Sequence, residues 1–214
     1  MKIIAIGRNF RAHALELNHP IPKIPFFFIK PESSIIETGH DVIAPIGHSL
    51  HYEVELAIHI QEKLNKITVD QANHALNKSK FGVAIDFTLR DVQSNAISNK
   101  LPWTLSKGLD TFCPLSSTIS DIDPDDVGLW LKVNGKIKQN GNTNDQIFPC
   151  ATLISYISQF ITLEPKDVIL TGTPSGVGAV KDGDVIQCGL NAKGKSLELQ
   201  HVIKYKKFDY PLIE

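Results

Sequence analysis

Short runs rich in β-branched and aromatic residues recur along almost the whole chain, and they limit the folds that it can adopt. The dipeptide Asn134-Gly135 lies between two such runs and predicts a tight β-hairpin. Asp182-Gly183 marks a second turn. The clearest strand candidates are KIIAIG (2–7), PFFFIK (25–30), HYEVELAIHI (51–60), FGVAIDF (81–87), GLWLKVNG (128–135) and DVILTG (167–172). The chain is therefore predicted to be mainly β, with an extensive and largely antiparallel sheet system.

Three segments have the spacing of short helices. Residues 9–17, 69–79 and 152–160 each place apolar side chains on one helical stripe. No internal repeat, low-complexity linker or shift in composition divides the 214 residues, and this length suits one folded unit. We therefore predict a single α+β domain that covers residues 1–214.

The balance of charges bears on what the chain binds. Lysine and arginine total 22 and aspartate and glutamate total 23, so no overall field attracts nucleic acid or an anionic membrane. We expect a small-molecule partner, without nucleic-acid or membrane binding. The three widely spaced cysteines, Cys113, Cys150 and Cys188, match neither a disulfide framework nor a zinc cluster. The first apolar run is too short for a signal sequence or a membrane span, which predicts a cytoplasmic protein.

Three carboxylates stand out by their positions. In the alternating run 51–60, Glu53 and Glu55 point to the same side with backbone positions roughly 6–7 Å apart, so both can reach one cation. Asp86 is the only charge in an otherwise apolar run, and an unpaired buried carboxylate is costly. Two simpler interpretations stay open: a half-buried strand with a wet polar face for the glutamates, and pairing with Arg90 for Asp86. Three carboxylates without a cysteine cluster favour Mg²⁺ or Mn²⁺ over Zn²⁺.

A histidine and a glutamate share a face of the first predicted helix. His13 and Glu16 are three residues apart, so their side chains can touch. A carboxylate that holds one imidazole nitrogen leaves the other free to accept a proton from water, which is the arrangement of a general base. An ordinary surface pair has the same spacing, and the residues alone do not decide between the two.

Three further segments carry groups that suit an anionic substrate. The turn TGTPSGVG (171–178) lacks the Walker and dinucleotide patterns, but its backbone N–H groups can bind a carboxylate. Lys107 can help to neutralise an acidic metal site, and Arg90 and Gln93 are carboxylate binders by their chemistry. The alternatives are a plain connecting turn, packing around Trp103 and a solvated loop.

The segments YEVELA, DFTLRDVQ, LPWTLSKGLDTFCP, LWLKVNG and ITLEPKDVILTGTPSGVG occur in this order, and through them the chain resembles the fumarylacetoacetate hydrolase (FAH) family. The resemblance runs from GRNF near residue 7 to about residue 190. It is closest to the short branch that has no separate N-terminal domain and includes acylpyruvate hydrolases and oxaloacetate decarboxylases. It implies the fold of the FAH C-terminal domain, which is a rolled β-sandwich with short helices.

The resemblance also implies a role for each candidate residue. In the family, two strand glutamates and a later aspartate bind Mg²⁺, and these match Glu53, Glu55 and Asp86. The His-x-x-Glu helix of the hydrolytic members, which activates water, matches His13 and Glu16. The remaining matches are the family lysine with Lys107, the threonine of the TGTP turn with Thr173, and polar substrate contacts with Arg90 and Gln93.

The implied activity is Mg²⁺-dependent hydrolysis of the C–C bond of acylpyruvates, with a small 2-oxo acid chelating the metal through its carboxylate and keto oxygens. Decarboxylation or tautomerisation of oxaloacetate can use the same site. One alternative is an isomerase or decarboxylase of the 2-hydroxyhepta-2,4-diene-1,7-dioate type from aromatic catabolism, and another is a non-catalytic metal- or carboxylate-binding domain. A homodimer is expected from the resemblance and from apolar runs such as PFFFIKP, which can leave a sheet edge to cover.

Overall fold

The structure is a computed structural model and describes residues 1–16 and 20–209. Its strands are β1 (Ile3–Ile6), β2 (Phe27–Lys30), β3 (Ile35–Ile36), β4 (Val42–Pro45), β5 (Leu50–Tyr52), β6 (Val54–His59), β7 (Lys80–Ile85), β8 (Thr88–Leu89), β9 (Cys113–Pro114), β10 (Gly128–Val133), β11 (Lys136–Asn142), β12 (Val168–Leu170), β13 (Gly178–Ala179), β14 (Val185–Ala192) and β15 (Lys195–Lys206). Its helices are α1 (Arg11–Glu16), α2 (Val69–Leu76), α3 (Arg90–Ser98), α4 (Thr104–Lys107) and α5 (Cys150–Ser158).

Two five-stranded sheets form the body of the fold, in the orders β2-β1-β12-β6-β7 and β11-β10-β14-β15-β4. Most neighbouring strands are antiparallel, whereas β1 with β12, β15 with β4, and β3 with β9 are parallel. A continuous apolar core takes side chains from both large sheets and from α2 and α5. The predicted α+β class, mainly β with short helices, is therefore confirmed.

The alternating run 51–60 forms two strands, where the sequence predicts one. The chain breaks at Glu53, so that β5 belongs to a three-stranded sheet with β8 and β13, while β6 lies inside the first large sheet. Every residue of β6 except His59 is buried, because the strand is covered on both faces. The interpretation of a half-buried strand with a wet polar face is therefore wrong for this segment.

The three predicted helices are present as α1, α2 and α5. The start of α2 is fixed by a capping box: the Thr68 hydroxyl accepts from the Gln71 N–H at 3.3 Å, and the Gln71 side chain accepts from the Thr68 N–H at 2.9 Å. Leu17, the last residue of the first predicted helix, lies outside the described residues. None of the described helices is long and apolar enough to cross a membrane.

The hairpin expected at Asn134-Gly135 joins β10 to β11, with φ of +50° and +76° at its two central residues. The sequence patterns missed α3, α4 and β15. Leu197, Leu199, Ile203 and Tyr205 lie at alternate positions of this 12-residue strand, so β15 did carry a strand signal. The alternative of a solvated loop at Arg90 and Gln93 is wrong, because both residues belong to α3, which buries Val92 and Ala96. This helix positions Arg90 and Gln93, two of the candidate residues, near its start.

Candidate active site

Three carboxylates converge where β6 begins and β7 ends. The two strands are antiparallel with Glu55 opposite Ala84, so Asp86, which directly follows β7, reaches the start of β6. The backbone N–H of Asp86 donates to the Glu53 carbonyl oxygen at 2.8 Å. Each of Glu53, Glu55 and Asp86 offers an oxygen within 4.8 Å of the other two, and all three side chains are buried. We call these three residues the acidic triad. Three buried negative charges are costly unless nearby positive charges or a cation compensate them.

Two cations compensate the charge of Glu53. The Lys107 ammonium donates to Glu53 Oε2 at 2.8 Å and to Asp86 Oδ2 at 2.5 Å, and the Arg90 guanidinium donates to Glu53 Oε1. Burial alone would raise the pKa of Glu53, but the charges of Lys107 and Arg90 outweigh it and hold this pKa far below its usual value. Burial would likewise lower the pKa of Lys107, which Asp86 and Glu53 raise instead. Glu53 and Lys107 are therefore both charged.

Glu55 has a different environment. Within the described parts of the chain it forms no ion pair, and its carboxylate accepts one hydrogen bond, from the Gly172 N–H at 2.7 Å. Burial, together with the negative charges of Asp86 and Glu53, raises its pKa well above the usual value. A divalent cation among the three carboxylates would reverse this effect. The donor set, carboxylate oxygens without thiolates, fits a hard ion such as Mg²⁺ or Mn²⁺.

His13 and Glu16 lie on α1, facing the triad. Their nearest side-chain atoms, His13 Nδ1 and Glu16 Oε2, are 3.5 Å apart, at the limit of a hydrogen bond. Glu16 also accepts from the Gly176 N–H at 3.1 and 3.2 Å, so it joins α1 to the 171–178 turn. Burial lowers the pKa of His13, although nearby Glu53 and Glu16 oppose the shift. A neutral imidazole is the form that can accept a proton.

A narrow pocket of about 40 Å³ connects these groups. Ile97 and Trp103 supply its apolar wall. Its polar lining consists of Arg8, His13, Glu53, Arg90, Gln93 and Lys107. The pocket therefore places a candidate base, two paired cations and a carboxylate of the triad around one small space.

Comparison with known proteins decides the family. The model of the family described as "Fumarylacetoacetate (FAA) hydrolase C-terminal" matches residues 2–199. The chain belongs to the FAH family. Over 208 residues it is 47% identical to "Oxaloacetate decarboxylase, mitochondrial" of Dictyostelium discoideum, covering 95% of this chain and 94% of the relative. It is also 47% identical over 193 residues to a mitochondrial oxaloacetate tautomerase of Arabidopsis thaliana, covering 88% and 86% of the two chains.

A solved structure of an FAH-family enzyme supports the same assignment. The chain matches the crystal structure of fumarylpyruvate hydrolase from Pseudomonas aeruginosa in complex with Mn²⁺ and pyruvate, with a TM-score of 0.87 and 29% identity. The match covers 96% of this chain and 90% of the other. The FAH fold implied by the sequence motifs is therefore confirmed.

Thr173, a candidate residue of this FAH-family chain, is not part of the pocket lining. Its hydroxyl oxygen accepts from Gln139 Nε2 at 2.7 Å, and the same amide donates to the Pro174 carbonyl oxygen at 2.8 Å. Gln139 also accepts from the Val54 N–H at 2.9 Å, next to Glu53. The turn is thus tied to the strands that carry the triad, through Gln139 and through the Gly172 N–H.

Sequence reasoning missed Lys30, a fully buried lysine at the end of β2. Its ammonium donates to Asp86 Oδ1 at 2.7 Å and also to the backbone carbonyl oxygen of Lys107. Lys30 therefore binds both Asp86, a candidate metal ligand, and the backbone of the segment that carries Lys107. The signal was available, because Lys30 ends the apolar run PFFFIK much as Asp86 interrupts FGVAIDF. A charge within such a run needs a partner of opposite sign, and these two residues are partners.

Proposed function

We propose that this FAH-family protein is a divalent-metal-dependent enzyme of small 2-oxo acids, with oxaloacetate as a substrate and acylpyruvates as further substrates of the same site. The observation that carries the proposal is the buried acidic triad beside a pocket lined by Lys107 and His13. Two relatives that are 47% identical carry oxaloacetate in their names. The Pseudomonas enzyme with bound Mn²⁺ and pyruvate supports both a metal and a 2-oxo acid.

Glu53, Glu55 and Asp86 would hold Mg²⁺ or Mn²⁺. When bound, such an ion supplies a Lewis acid that polarises the keto oxygen of a 2-oxo acid. Lys107 remains charged between Glu53 and Asp86 and compensates the negative charge that develops on the keto oxygen. In tautomerisation a proton moves between C3 and the keto oxygen. In decarboxylation the C3–C4 bond breaks, CO₂ leaves and the electron pair stays on C3 as an enolate, so both reactions develop the same charge.

Acylpyruvate hydrolysis adds a step for which His13 is suited. Water must attack the distal carbonyl carbon, and a neutral imidazole can take the proton that the water loses. Glu16 orients this ring and at the same time binds the Gly176 N–H. The C–C bond then breaks, the acyl group leaves as a carboxylic acid, and the pyruvate part leaves as an enolate that is protonated at C3. The buried His13, paired with the more exposed Glu16, favours hydrolysis as a second activity.

Three residues remain as proposed contacts of the substrate carboxylate. Gln93 Oε1 accepts from Arg90 at 2.6 Å, which leaves the amide N–H groups of Gln93 for a ligand. The hydroxyl oxygen of Thr173 accepts from Gln139, so its own O–H is free to donate. Arg90 adds a positive charge beside the same pocket.

Assays of oxaloacetate and acetylpyruvate with and without added Mg²⁺ or Mn²⁺ test the proposal. We expect turnover that stops on addition of a chelator and returns with either ion. Absence of metal-dependent turnover, together with tight metal binding in calorimetry, would instead indicate a non-catalytic domain. Turnover confined to unsaturated 2-oxo dicarboxylates, and intact without His13, would favour the isomerase alternative.

We also propose a homodimer in a cytoplasmic setting. Strand β2 is at the edge of the first large sheet, where Ile29 is 41% exposed. Leu101 and Leu105 on the nearby 101–107 segment are 55% and 51% exposed. An edge strand with apolar neighbours is a surface that another chain can cover. Light scattering at micromolar concentration tests it, and a single monomeric mass would contradict it.

A further inference from the structure

The backbone of Arg8, between β1 and α1, is left-handed, with a φ of +57°. Residues with a Cβ rarely adopt this conformation, and it persists where the surroundings impose it. Both neighbours of Arg8 are fixed: the Gly7 N–H donates to the Phe26 carbonyl oxygen at 3.1 Å, and Asn9 Nδ2 donates to the Thr171 carbonyl oxygen at 2.9 Å. The fold therefore determines where the Arg8 side chain begins and in which direction it leaves the backbone.

The Arg8 side chain lines the same pocket as His13 and Lys107. Its guanidinium carbon lies 5.6 Å from the centre of the Phe26 ring, and that ring meets Trp103 edge-on with centroids 5.8 Å apart. Partial burial lowers the pKa of Arg8, although an arginine stays charged at neutral pH. The cation is thus held against an aromatic wall, partly shielded from water.

The other two permanent cations of the lining are already bonded to carboxylates. Arg90 pairs with Glu53, and Lys107 pairs with both Glu53 and Asp86. In residues 1–16 and 20–209, by contrast, no carboxylate forms an ion pair with Arg8. A partly desolvated guanidinium without an internal anion can bind a carboxylate from outside through its planar pair of N–H groups.

We propose that Arg8 binds the second carboxylate of a short 2-oxo dicarboxylate and so selects such substrates over acylpyruvates with uncharged tails. This inference rests on the proposed function, in which the 2-oxo end of the substrate faces the acidic triad. In oxaloacetate a single CH₂ separates the keto carbon from the second carboxylate, so both ends must lie in one small pocket. Glu53 and Arg8 belong to the lining of the same pocket, and among the described residues Arg8 is its arginine without an ion pair.

Substitutions at Arg8 test the proposal with three ligands. Arg8→Asn removes the charge and retains a residue type that tolerates a left-handed backbone, and Arg8→Lys keeps the charge without the planar fork. Exposed Arg11, three residues along and outside this lining, gives the matched control Arg11→Gln. The constants to compare are KM for oxaloacetate, KM or Ki for acetylpyruvate, and Ki for oxalate, which copies only the 2-oxo end. Thermal unfolding of each variant monitors the fold.

We expect Arg8→Asn to raise KM for oxaloacetate by about 10- to 100-fold, the usual effect of losing a charged hydrogen bond. Arg8→Lys should recover part of this loss, while acetylpyruvate and oxalate constants change little and Arg11→Gln resembles the wild type. The inference would be overturned if Arg8→Asn weakened the binding of all three ligands equally, or if it left KM for oxaloacetate unchanged. If the wild-type protein, loaded with Mg²⁺ or Mn²⁺, neither turned over oxaloacetate nor bound oxalate, the proposed function itself would fail, and this inference with it.

Discussion

The acidic triad and the α1 segment (residues 8–16) meet at one pocket, but they are held in different ways. The triad is buried among sheet residues, and three cations bind two of its members. The α1 segment reaches the 171–178 turn through Glu16, whose side chain is 34% exposed, against 7% for His13. In the proposed function, charge stabilisation therefore belongs to the buried sheet residues, whereas proton transfer to and from water depends on His13 and the more exposed Glu16. Substitutions in the triad and substitutions in the α1 segment should therefore impair different steps of the reaction.

The largest effect is expected from Glu55→Gln. This change removes a negative charge from the proposed metal site and keeps the shape of the side chain. We expect turnover of oxaloacetate and of acetylpyruvate to fall by roughly 10³- to 10⁵-fold, because a Lewis acid contributes several kcal/mol to such reactions. Steady-state kinetics at saturating Mg²⁺ and calorimetric titration with Mn²⁺ measure the loss of activity and of metal binding.

The fold should tolerate Glu55→Gln, because Glu55 lacks an ion pair in the described structure and is repelled by two neighbouring carboxylates. The exposed Glu37 provides the control Glu37→Gln, which should leave turnover and metal binding unchanged. Full activity in Glu55→Gln would show that Glu55 does not belong to the metal site and that the triad does not act as one charge-stabilising unit.

His13→Ala tests the α1 segment. We expect hydrolysis of acetylpyruvate to fall by about 10²–10⁴-fold, the usual scale for loss of a general base. Decarboxylation and tautomerisation of oxaloacetate should fall less, because neither reaction needs activated water. The ratio of the two activities, measured in parallel assays, is the decisive quantity.

The exposed His74 on α2 gives a matched control, and His74→Ala should change neither activity. An equal loss of both activities in His13→Ala would mean that His13 acts on a step common to them. The distinction between a charge-stabilising triad and a water-activating α1 segment would then be wrong.

Lys30→Met tests how the triad is held in place. Lys30 binds Asp86 and the Lys107 carbonyl oxygen, so its loss should loosen both groups. Loss of a supporting residue of this kind typically weakens metal binding by about 10- to 100-fold. We also expect the metal-free protein to lose about 3 kcal/mol of unfolding free energy, because a buried ion pair is broken.

Urea unfolding with and without Mn²⁺ measures both effects of Lys30→Met. Added metal should restore part of the lost stability, since it replaces a positive charge beside Asp86. Lys63→Met is the control, because Lys63 pairs with Glu164 at the surface and its side chain is 67% exposed. A Lys30→Met protein with wild-type stability and metal affinity would show that Lys107 alone suffices to hold Asp86.

The sequence predicted more of the triad than of its surroundings, and the reason is physical. Glu53, Glu55 and Asp86 lie near strands, where alternation and an isolated charge in an apolar run carry a clear signal. The break at Glu53 was not predictable from alternation, since the pattern continues across two strands that enter different sheets. Lys30 carries the same kind of signal as Asp86, but only the fold shows that the two residues are partners.

Contacts with the turn were harder to predict than the turn itself. The glycines of TGTPSGVG indicated a turn, whereas the bond from the Gly176 N–H to Glu16 spans 160 residues. Gly176 has a φ of +98°, and a Cβ there would overlap the carbonyl oxygen of Lys138, so the position requires glycine. Local sequence therefore specifies the conformation of the turn, and tertiary structure determines what the turn binds.

The stability of the metal-free protein should also depend on pH through the triad. Burial, followed by the charges of Asp86 and Glu53, raises the pKa of Glu55 above its unfolded value of 4.5. The unfolded chain therefore loses this proton first, so the contribution of Glu55 to stability is present below pH 4.5 and is lost as pH rises through the higher folded pKa. From pH 4.5 up to the folded pKa of Glu55, the metal-free wild type should lose at most about 1.4 kcal/mol of unfolding free energy per pH unit relative to Glu55→Gln. Chemical unfolding of both proteins in a chelator measures this difference, and saturating Mn²⁺ should reduce it because metal binding favours the ionised carboxylate. A difference that does not vary with pH would mean that Glu55 is ionised even without metal. The protein would then compensate the negative charge of Glu55 as fully as that of Glu53.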